Sequence, residues 1–270
     1  MNRPFQTIAL TIVLFATPLL RGAEPGSGPP APSIAELTAK AERGDLDAQN
    51  ELGKKYIFGN GVEKSLPDAF KWFKSAADRG YAKAQHNLAL MYSKGEVVEK
   101  DEASATKLFQ QAAKQGFAIS QYFLAFRYEK GLGIPKNNEK AVFWYNKAAG
   151  QGHAGAQYNL GALYHDGVGV KKNPAEAVLW LQKSADKGHV LAQYRMARAY
   201  LDGHGLAKAP DKALFWFYVA QKNSFLEKNP EIASKIEHHI SKLEPTFSES
   251  TRAEIRRRAR EKHEAITVKK

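Results

Sequence analysis

The sequence repeats itself every 36 residues, and this period constrains the fold more than any other feature. Glycines, glutamines, tyrosines and alanines recur at that step, and no insertion breaks the register. A period of roughly 20 to 50 residues is typical of solenoids, because one unit cannot bury its apolar face alone and stacks on its neighbours. The glycine column comprises Gly44, Gly80, Gly116, Gly152 and Gly188.

Each repeat predicts two helices. In the first helix, Ala48, Leu52 and Tyr56 follow at four-residue steps and share one face, and Gly59 suits the C-terminal cap. No stretch alternates apolar and polar residues long enough to predict a strand. The second helix follows a residue type that caps helix N-termini in four repeats, and an alanine in the fifth. These positions are Ser65, Asp101, Asn137, Asn173 and Ala209.

The second helix carries an apolar stripe, which in the first repeat consists of Ala69, Trp72, Phe73 and Ala76. The alanines would let neighbouring helices approach closely, while the aromatic rings would fill the space between two helical layers. We therefore expect the tryptophans of this stripe to be buried. Those of the later repeats are Trp144, Trp180 and Trp216, and the second repeat has Leu108 instead.

Both ends of the array differ from the repeats. Residues 33–43 align with a second helix, but Glu36 stands in the tryptophan position, which predicts a polar N-terminal cap helix. After residue 222 the period stops, and residues 223–270 predict two capping helices, from about Pro230 to Leu243 and from about Glu249 to Ala265. This C-terminal region is basic, with a cluster at Arg256, Arg257, Arg258 and Arg260.

The N-terminus predicts export. A mainly apolar run of 14 residues follows one positive charge, and residues 24–32 are rich in proline and glycine. Residues 1–23 therefore read as a signal peptide followed by a linker, because the run is shorter than the roughly 20 residues of a membrane span. Arg21 stands where a small residue is expected before the cut, so the cleavage position, and whether the segment is retained, stay open. The mature protein would be periplasmic or secreted and not an integral membrane protein.

Composition narrows the function classes. The chain has no cysteine, which excludes disulfides, thiolate nucleophiles and zinc–thiolate sites. Its net charge of +12 favours an anionic partner, although export argues against nucleic acid. His238 and His239 are adjacent and lie on different helix faces, so they predict no metal site. No nucleophile or phosphate-loop motif occurs, and we expect no cofactor and no enzymatic activity.

The repeats resemble the Sel-one-like repeat, a relative of the tetratricopeptide repeat. The fourth reads "AGQGHAGAQYNLGALYHDGVGVKKNPAEAVLWLQKSA", and the resemblance covers residues 33–222. It implies an all-α fold, a right-handed α-solenoid of five helix-turn-helix repeats with capping helices at both ends. The repeats would start near residues 44, 80, 116, 152 and 188. Such arrays usually act as adaptors or regulators that bind a protein partner.

The resemblance also implies a concave groove lined by the first helices. The residue after the recurrent glutamine would face it, and three successive tyrosines would form an aromatic row suited to a partner peptide, loop or helix. Alternatively, these rings pack between adjacent first helices. Two other functions remain open: binding an anionic envelope glycan or lipid, and cell-wall hydrolysis. The predicted groove residues are His86, Tyr122, Phe126, Tyr158, Tyr194 and Arg198.

Overall fold

The computed structural model describes residues 32–268, and within that range all regular secondary structure is helical. Consecutive helices pack against one another, so the predicted all-α solenoid is confirmed. The predicted signal peptide, and the linker except its last residue, fall outside the described residues. The first helices of the five repeats are α2 (Leu46–Phe58), α4 (Ala82–Lys94), α6 (Ala118–Lys130), α8 (Ala154–Asp166) and α10 (Val190–Asp202). The second helices are α3 (Leu66–Asp78), α5 (Glu102–Lys114), α7 (Asn138–Gly150), α9 (Pro174–Asp186) and α11 (Pro210–Gln221).

The helix boundaries follow the predicted capping residues. Ala209 precedes α11 without a side-chain capping bond, as its methyl group requires. Gly59 ends α2 in the left-handed conformation, with φ at 70°, which a glycine adopts without steric cost. The four predicted polar caps are confirmed, because each accepts a hydrogen bond from a backbone N–H of the first turn: Ser65, Asp101, Asn137 and Asn173.

The recurrent glutamine ties each first helix to the second helix before it. The Nε2 of Gln121 donates to the carbonyl oxygen of Ala113 at 3.1 Å. This carbonyl lies in the last turn of α5, where it also accepts the backbone N–H of Gly116 at 3.0 Å. The glutamine therefore adds a second donor to the helix end and joins two consecutive repeats. The same bond occurs in the other four repeats, from Gln49, Gln85, Gln157 and Gln193.

The residue that follows each second helix adds a further link. The Nε2 of Gln115 donates to the carbonyl of Gly80 and to the Oε1 of Gln85, both at 2.9 Å. The position is Lys187 in the fourth repeat, which donates to the carbonyl of Gly152 at 2.6 Å. There, the buried Oε1 of Gln157 has no hydrogen-bond partner. The repeats are thus joined by similar but unequal networks.

Within the predicted stripe of the second helix, the residue after the tryptophan position is the one that faces the core. Trp144 and Trp180 are only half-buried, so the prediction that they are buried is wrong. A step of one residue turns a helix by about 100°, and here it points the next side chain at the first-helix layer. The buried residues at this next position are Phe73, Phe109, Tyr145, Leu181 and Phe217.

A loop glycine sets the distance between repeats. Gly133 has φ at 62°, and a Cβ atom there would lie 2.0 Å from the carbonyl oxygen of Glu102 at the start of α5. Backbone occupies that space, so the clash cannot be relieved by a side-chain rotation. The loop can therefore pack on the preceding repeat only without a side chain.

We expect Gly133→Ala to lower the free energy of unfolding by about 2 to 3 kcal/mol, because it combines a strained backbone with overpacking. Urea denaturation measures this change. The matched control is Gly116→Ala, where φ is 90° but no atom lies within 4 Å of the added Cβ. It should cost only about 1 kcal/mol. Equal losses in the two variants would mean that the close approach contributes nothing.

The two ends are closed by different means. α1 (Ile34–Glu42) starts with Ser33, whose hydroxyl and backbone exchange hydrogen bonds with Glu36, and it buries Leu37 and Ala41. At the other end, α12 (Pro230–Leu243) and α13 (Glu249–Val268) both pack on α11. Two short 3₁₀ helices, at Ser224–Lys228 and Glu244–Thr246, connect them and were not expected. The C-terminal helices thus cover the apolar face that a sixth repeat would otherwise bury.

Candidate functional site

The predicted aromatic row lies on the face formed by the first helices. Tyr122 is on α6, Tyr158 on α8 and Tyr194 on α10, and all three are half-buried. A tyrosine in this environment packs part of its ring against neighbours and leaves the rest in contact with solvent. The row therefore offers three partly accessible rings at one position of successive repeats.

Two of these rings also join consecutive repeats. The ring of Tyr122 stacks on His153 with centroids 4.6 Å apart, and that of Tyr158 stacks on His189 at 4.7 Å. Tyr194 instead lies 6.1 Å from His239 of α12. Part of the Tyr122 and Tyr158 rings thus packs between repeats, whereas part of the Tyr194 ring packs against the C-terminal cap. Only the remaining part is available to a partner.

The stacked histidines cap the helices that follow them. The Nδ1 of His153 accepts a hydrogen bond from the N–H of Ala156 at 3.1 Å, and His189 accepts one from Ala192. An accepting nitrogen bears no proton, so the neutral ring carries its proton on Nε2. Burial lowers the pKa of His153 to about 4, with a further contribution from the charge of Lys187. These histidines were not predicted as caps, although a polar residue directly before a helix is a capping signal.

His86 belongs to the core. It is 7% exposed, its Nδ1 lies 3.0 Å from the hydroxyl of Ser120, and the rings of Phe109 and Phe123 lie 5.3 Å from its own. Burial lowers its pKa to about 3, helped by the charge of His153. The predicted place of His86 in a groove lining is therefore corrected, because its neighbours leave a partner no access.

Phe126 borders a cleft of about 210 Å³ between α4 and α6. Phe126 and Leu90 occupy the same position in neighbouring repeats, and Phe123 and Phe109 add further apolar wall. Concave apolar surface with a few polar groups is typical of binding pockets. The cleft can therefore hold one apolar side chain of a partner.

The polar wall of this cleft comes from Arg127, which the sequence analysis did not single out. Its side chain is 5% exposed and donates to the Oε2 of Glu102 at 2.8 Å and to the hydroxyl of Thr106 at 3.0 Å. The guanidinium also lies 5.0 Å from the ring of Phe109. Because its partners are internal, Arg127 fixes the junction between repeats and shapes the cleft.

The remaining predicted groove residue, Arg198, already has an internal partner. Its Nε and Nη2 donate to the same carboxylate oxygen of Asp202 at 3.0 and 2.7 Å. The pair lies on α10, one turn after Tyr194. A partner carboxylate would therefore have to compete with Asp202 for this guanidinium.

Two of the four arginines in the predicted basic cluster tie the C-terminal helix to the elements it packs on. Arg256 pairs with Glu244 and donates to the hydroxyl of Tyr218, which joins α13 to α11. Arg257 pairs with two glutamates of its own helix, and the guanidinium of Arg258 lies 5.7 Å from the ring of Phe215. Arg260 is exposed. Three of the four arginines thus have identified internal contacts.

Residues 32–268 contain neither a metal-ion cluster nor a membrane-spanning helix. No group of three or more histidine, aspartate or glutamate residues in that part of the chain is arranged to hold a metal ion. In the same range, no helix has both the length and the apolar character that a membrane crossing requires.

These features define a helical-repeat protein of the solenoid class. The chain belongs to the Sel1 repeat family, because residues 46–81, 82–117, 118–153, 154–189 and 190–220 each match the model of that repeat. The resemblance found in the sequence is thereby confirmed. Repeats of this kind commonly serve as protein–protein interaction modules.

Two solved structures illustrate the likeness. A Sel1 repeat protein from Oxalobacter formigenes is 35% identical, with a TM-score of 0.67 over 72% of this chain and 81% of that one. The second structure is that of c5321, a protective antigen of uropathogenic Escherichia coli strains. It is 28% identical, with a TM-score of 0.69 over 86% of this chain and 56% of that one, so the match spans little more than half of the antigen. No curated protein sequence matches the chain significantly.

Proposed function

We propose that the protein is an exported, non-enzymatic interaction module, an adaptor or regulator in the periplasm or outside the cell. It binds a peptide, loop or helix of a partner protein on the face of the first helices. The observation that carries this proposal is the row of half-buried tyrosines together with the adjoining apolar cleft. Export rests on the apolar segment of residues 1–23.

The geometry favours an extended or helical segment over a small molecule. Tyr122, Tyr158 and Tyr194 recur once per repeat, so a partner that touches all three must run along the array. Phe126 and the cleft beside it provide a place for an apolar anchor. Aromatic rings that present large area at low conformational cost are typical of such contacts.

The test begins with capture of partners from an envelope extract, using the full exported chain. Tyr158→Ala should weaken binding of the captured protein by about 1 to 3 kcal/mol, because the variant removes a central aromatic contact. Isothermal titration with the purified partner measures the loss. The variant also loses its stacking on His189, so its melting temperature is recorded in parallel.

Trp72→Ala is the control for that stability effect. It removes a half-buried ring from the second-helix layer of the first repeat, away from the tyrosine row. The proposal predicts that this variant keeps its affinity at a temperature where both variants are folded. If Tyr158→Ala binds as well as Trp72→Ala, the tyrosine row is structural only and the proposed function is wrong.

A second candidate is an anionic glycan or lipid of the envelope, favoured by the net charge of +12. Binding driven by charge weakens steeply as salt rises, whereas an aromatic contact depends little on salt. Titrations at low and high ionic strength therefore distinguish the two candidates.

A further inference from the structure

A second apolar surface lies on the second-helix layer, apart from the tyrosine row. Phe143 is 53% exposed and Leu179 is 57% exposed, and they occupy the same position in the third and fourth repeats. Each is followed by a half-buried tryptophan, Trp144 or Trp180. We call these four residues the outer stripe. Large apolar side chains clustered on a surface commonly mark an interaction site.

The chain itself shows what covers this position in the fifth repeat. There, the equivalent residues are Phe215 and Trp216, and α13 lies over them. Ile255 and Ala259 of α13 belong to the same apolar cluster as Trp216, which is only 5% exposed. In the fifth repeat, an amphipathic helix therefore covers the position that is exposed in the third and fourth repeats.

The contacts of α13 also reach towards the outer stripe. The Nζ of Lys262 lies 6.0 Å from the ring of Trp216 and pairs with the Oδ1 of Asp186 at 2.7 Å. Asp186 is the last residue of α9, the helix that carries Leu179 and Trp180. α13 thus extends from α11 to the C-terminal end of the helix that carries Leu179 and Trp180.

Charge distinguishes the outer stripe from the surface under α13. Lys147 and Lys183 occupy one position of the repeat, with Nζ atoms 5.5 Å from the ring of Phe143 and 4.1 Å from that of Trp180. The equivalent residue on α11 is Val219, which is fully buried. A cationic helix such as α13 would be repelled at the outer stripe, whereas an acidic one would pair with both lysines.

We propose that the outer stripe is a second binding surface, which takes an acidic amphipathic helix of a partner protein. The apolar face of that helix covers Phe143 and Leu179 as α13 covers Phe215. Its carboxylates lie opposite Lys147 and Lys183. This surface is independent of the tyrosine row, so one molecule can hold two partner segments on different faces.

A peptide library tests the proposal. The library consists of 20-residue peptides, the length of α13, with apolar residues at the spacing of Ile255, Ala259 and Ile266 and random residues elsewhere. It is selected for binding to the full chain. We expect enrichment of peptides with Asp and Glu beside the apolar positions. Enrichment of basic peptides, or of none, would overturn the proposal.

Two double variants locate the binding. The first variant combines Phe143→Lys with Leu179→Lys. The chain already has lysine at this position in the first two repeats, as Lys71 and Lys107. The fold should therefore tolerate it, and we expect the affinity of the enriched peptides to fall at least about tenfold. Unchanged affinity contradicts the proposal.

Charge reversal gives an independent measurement. Lys147→Glu with Lys183→Glu should lower the affinity for acidic peptides by about tenfold and raise that for their lysine-substituted copies. Tyr158→Ala should leave both affinities unchanged, which separates this surface from the proposed function. The proposal is wrong if the peptides do not bind the outer stripe and vesicles containing phosphatidylglycerol do. That result would make the outer stripe a membrane-binding surface.

Discussion

Replacing Tyr145 with alanine is expected to lower the free energy of unfolding by about 3 to 5 kcal/mol. The side chain is fully buried between the two helical layers of the third repeat. Its hydroxyl donates to the Oε2 of Glu129 at 2.9 Å, so the variant also leaves a partly buried carboxylate without this donor. Chemical denaturation followed by circular dichroism measures the change.

The adjacent residue provides the control. Trp144→Ala removes a larger side chain, but from a half-buried position, so we expect a loss of only about 1 to 2 kcal/mol. The order of the two effects is the decisive result. If Trp144→Ala destabilised the protein as much as Tyr145→Ala, the second helices would be rotated so that Trp144 also faces the first-helix layer.

The protein is expected to lose stability as the pH falls from about 6.5 towards 4. His86 and His153 have pKa values of about 3 and about 4 in the folded chain, because burial disfavours their charged forms. In the unfolded chain they titrate near pH 6.5. Below that pH the unfolded state binds protons that the folded state does not, so stability is complete above about pH 6.5 and decreases below it.

The expected loss is about 2 to 3 kcal/mol per histidine between about pH 7 and pH 4.5. Urea denaturation at the two pH values measures it for the natural chain and for His86→Asn. Asparagine is the residue that the chain itself buries at this position in the first repeat, as Asn50. The variant should lose less stability over this range than the natural chain. Equal losses would show that His86 titrates normally when folded.

The repeat period was sufficient to predict the fold because each of its signals has one physical meaning. A polar residue before an apolar stripe caps a helix, and a glycine after one ends it, so Asn173 and Gly59 could be assigned from sequence alone. Five copies in register left no doubt about which signals belong together. The helices outside the repeats, α12 and α13, were less constrained, and their 3₁₀ connections carry no periodic signal.

Burial within the second helix was predicted less well. A hydrophobic stripe about 100° wide includes both Trp144 and Tyr145, and sequence alone does not say which of the two faces the first-helix layer. The sequence analysis expected Trp144 to be buried. The structure instead buries Tyr145, whose hydroxyl reaches Glu129.

The candidate site depended on contacts between repeats, which a single repeat does not reveal. Tyr122 and His153 are separated by a helix and a loop in sequence, yet their rings stack. Arg127 is buried between two repeats, and its ion-pair partner Glu102 belongs to the preceding one. The period was enough to predict that Tyr122, Tyr158 and Tyr194 share one position of the repeat. It was not enough to predict that all three rings are half-buried.

The glutamine contacts imply that the array does not open uniformly. Gln115 and Gln151 each bind both the glycine carbonyl one repeat back and the glutamine of their own repeat. Arg79 and Lys187 occupy the same position in the first and fourth repeats and bind the glycine carbonyl alone, so the amide oxygens of Gln49 and Gln157 lack a donor. The network is most complete in the second and third repeats, whose amide protons should therefore exchange with solvent more slowly than those of the first and fourth.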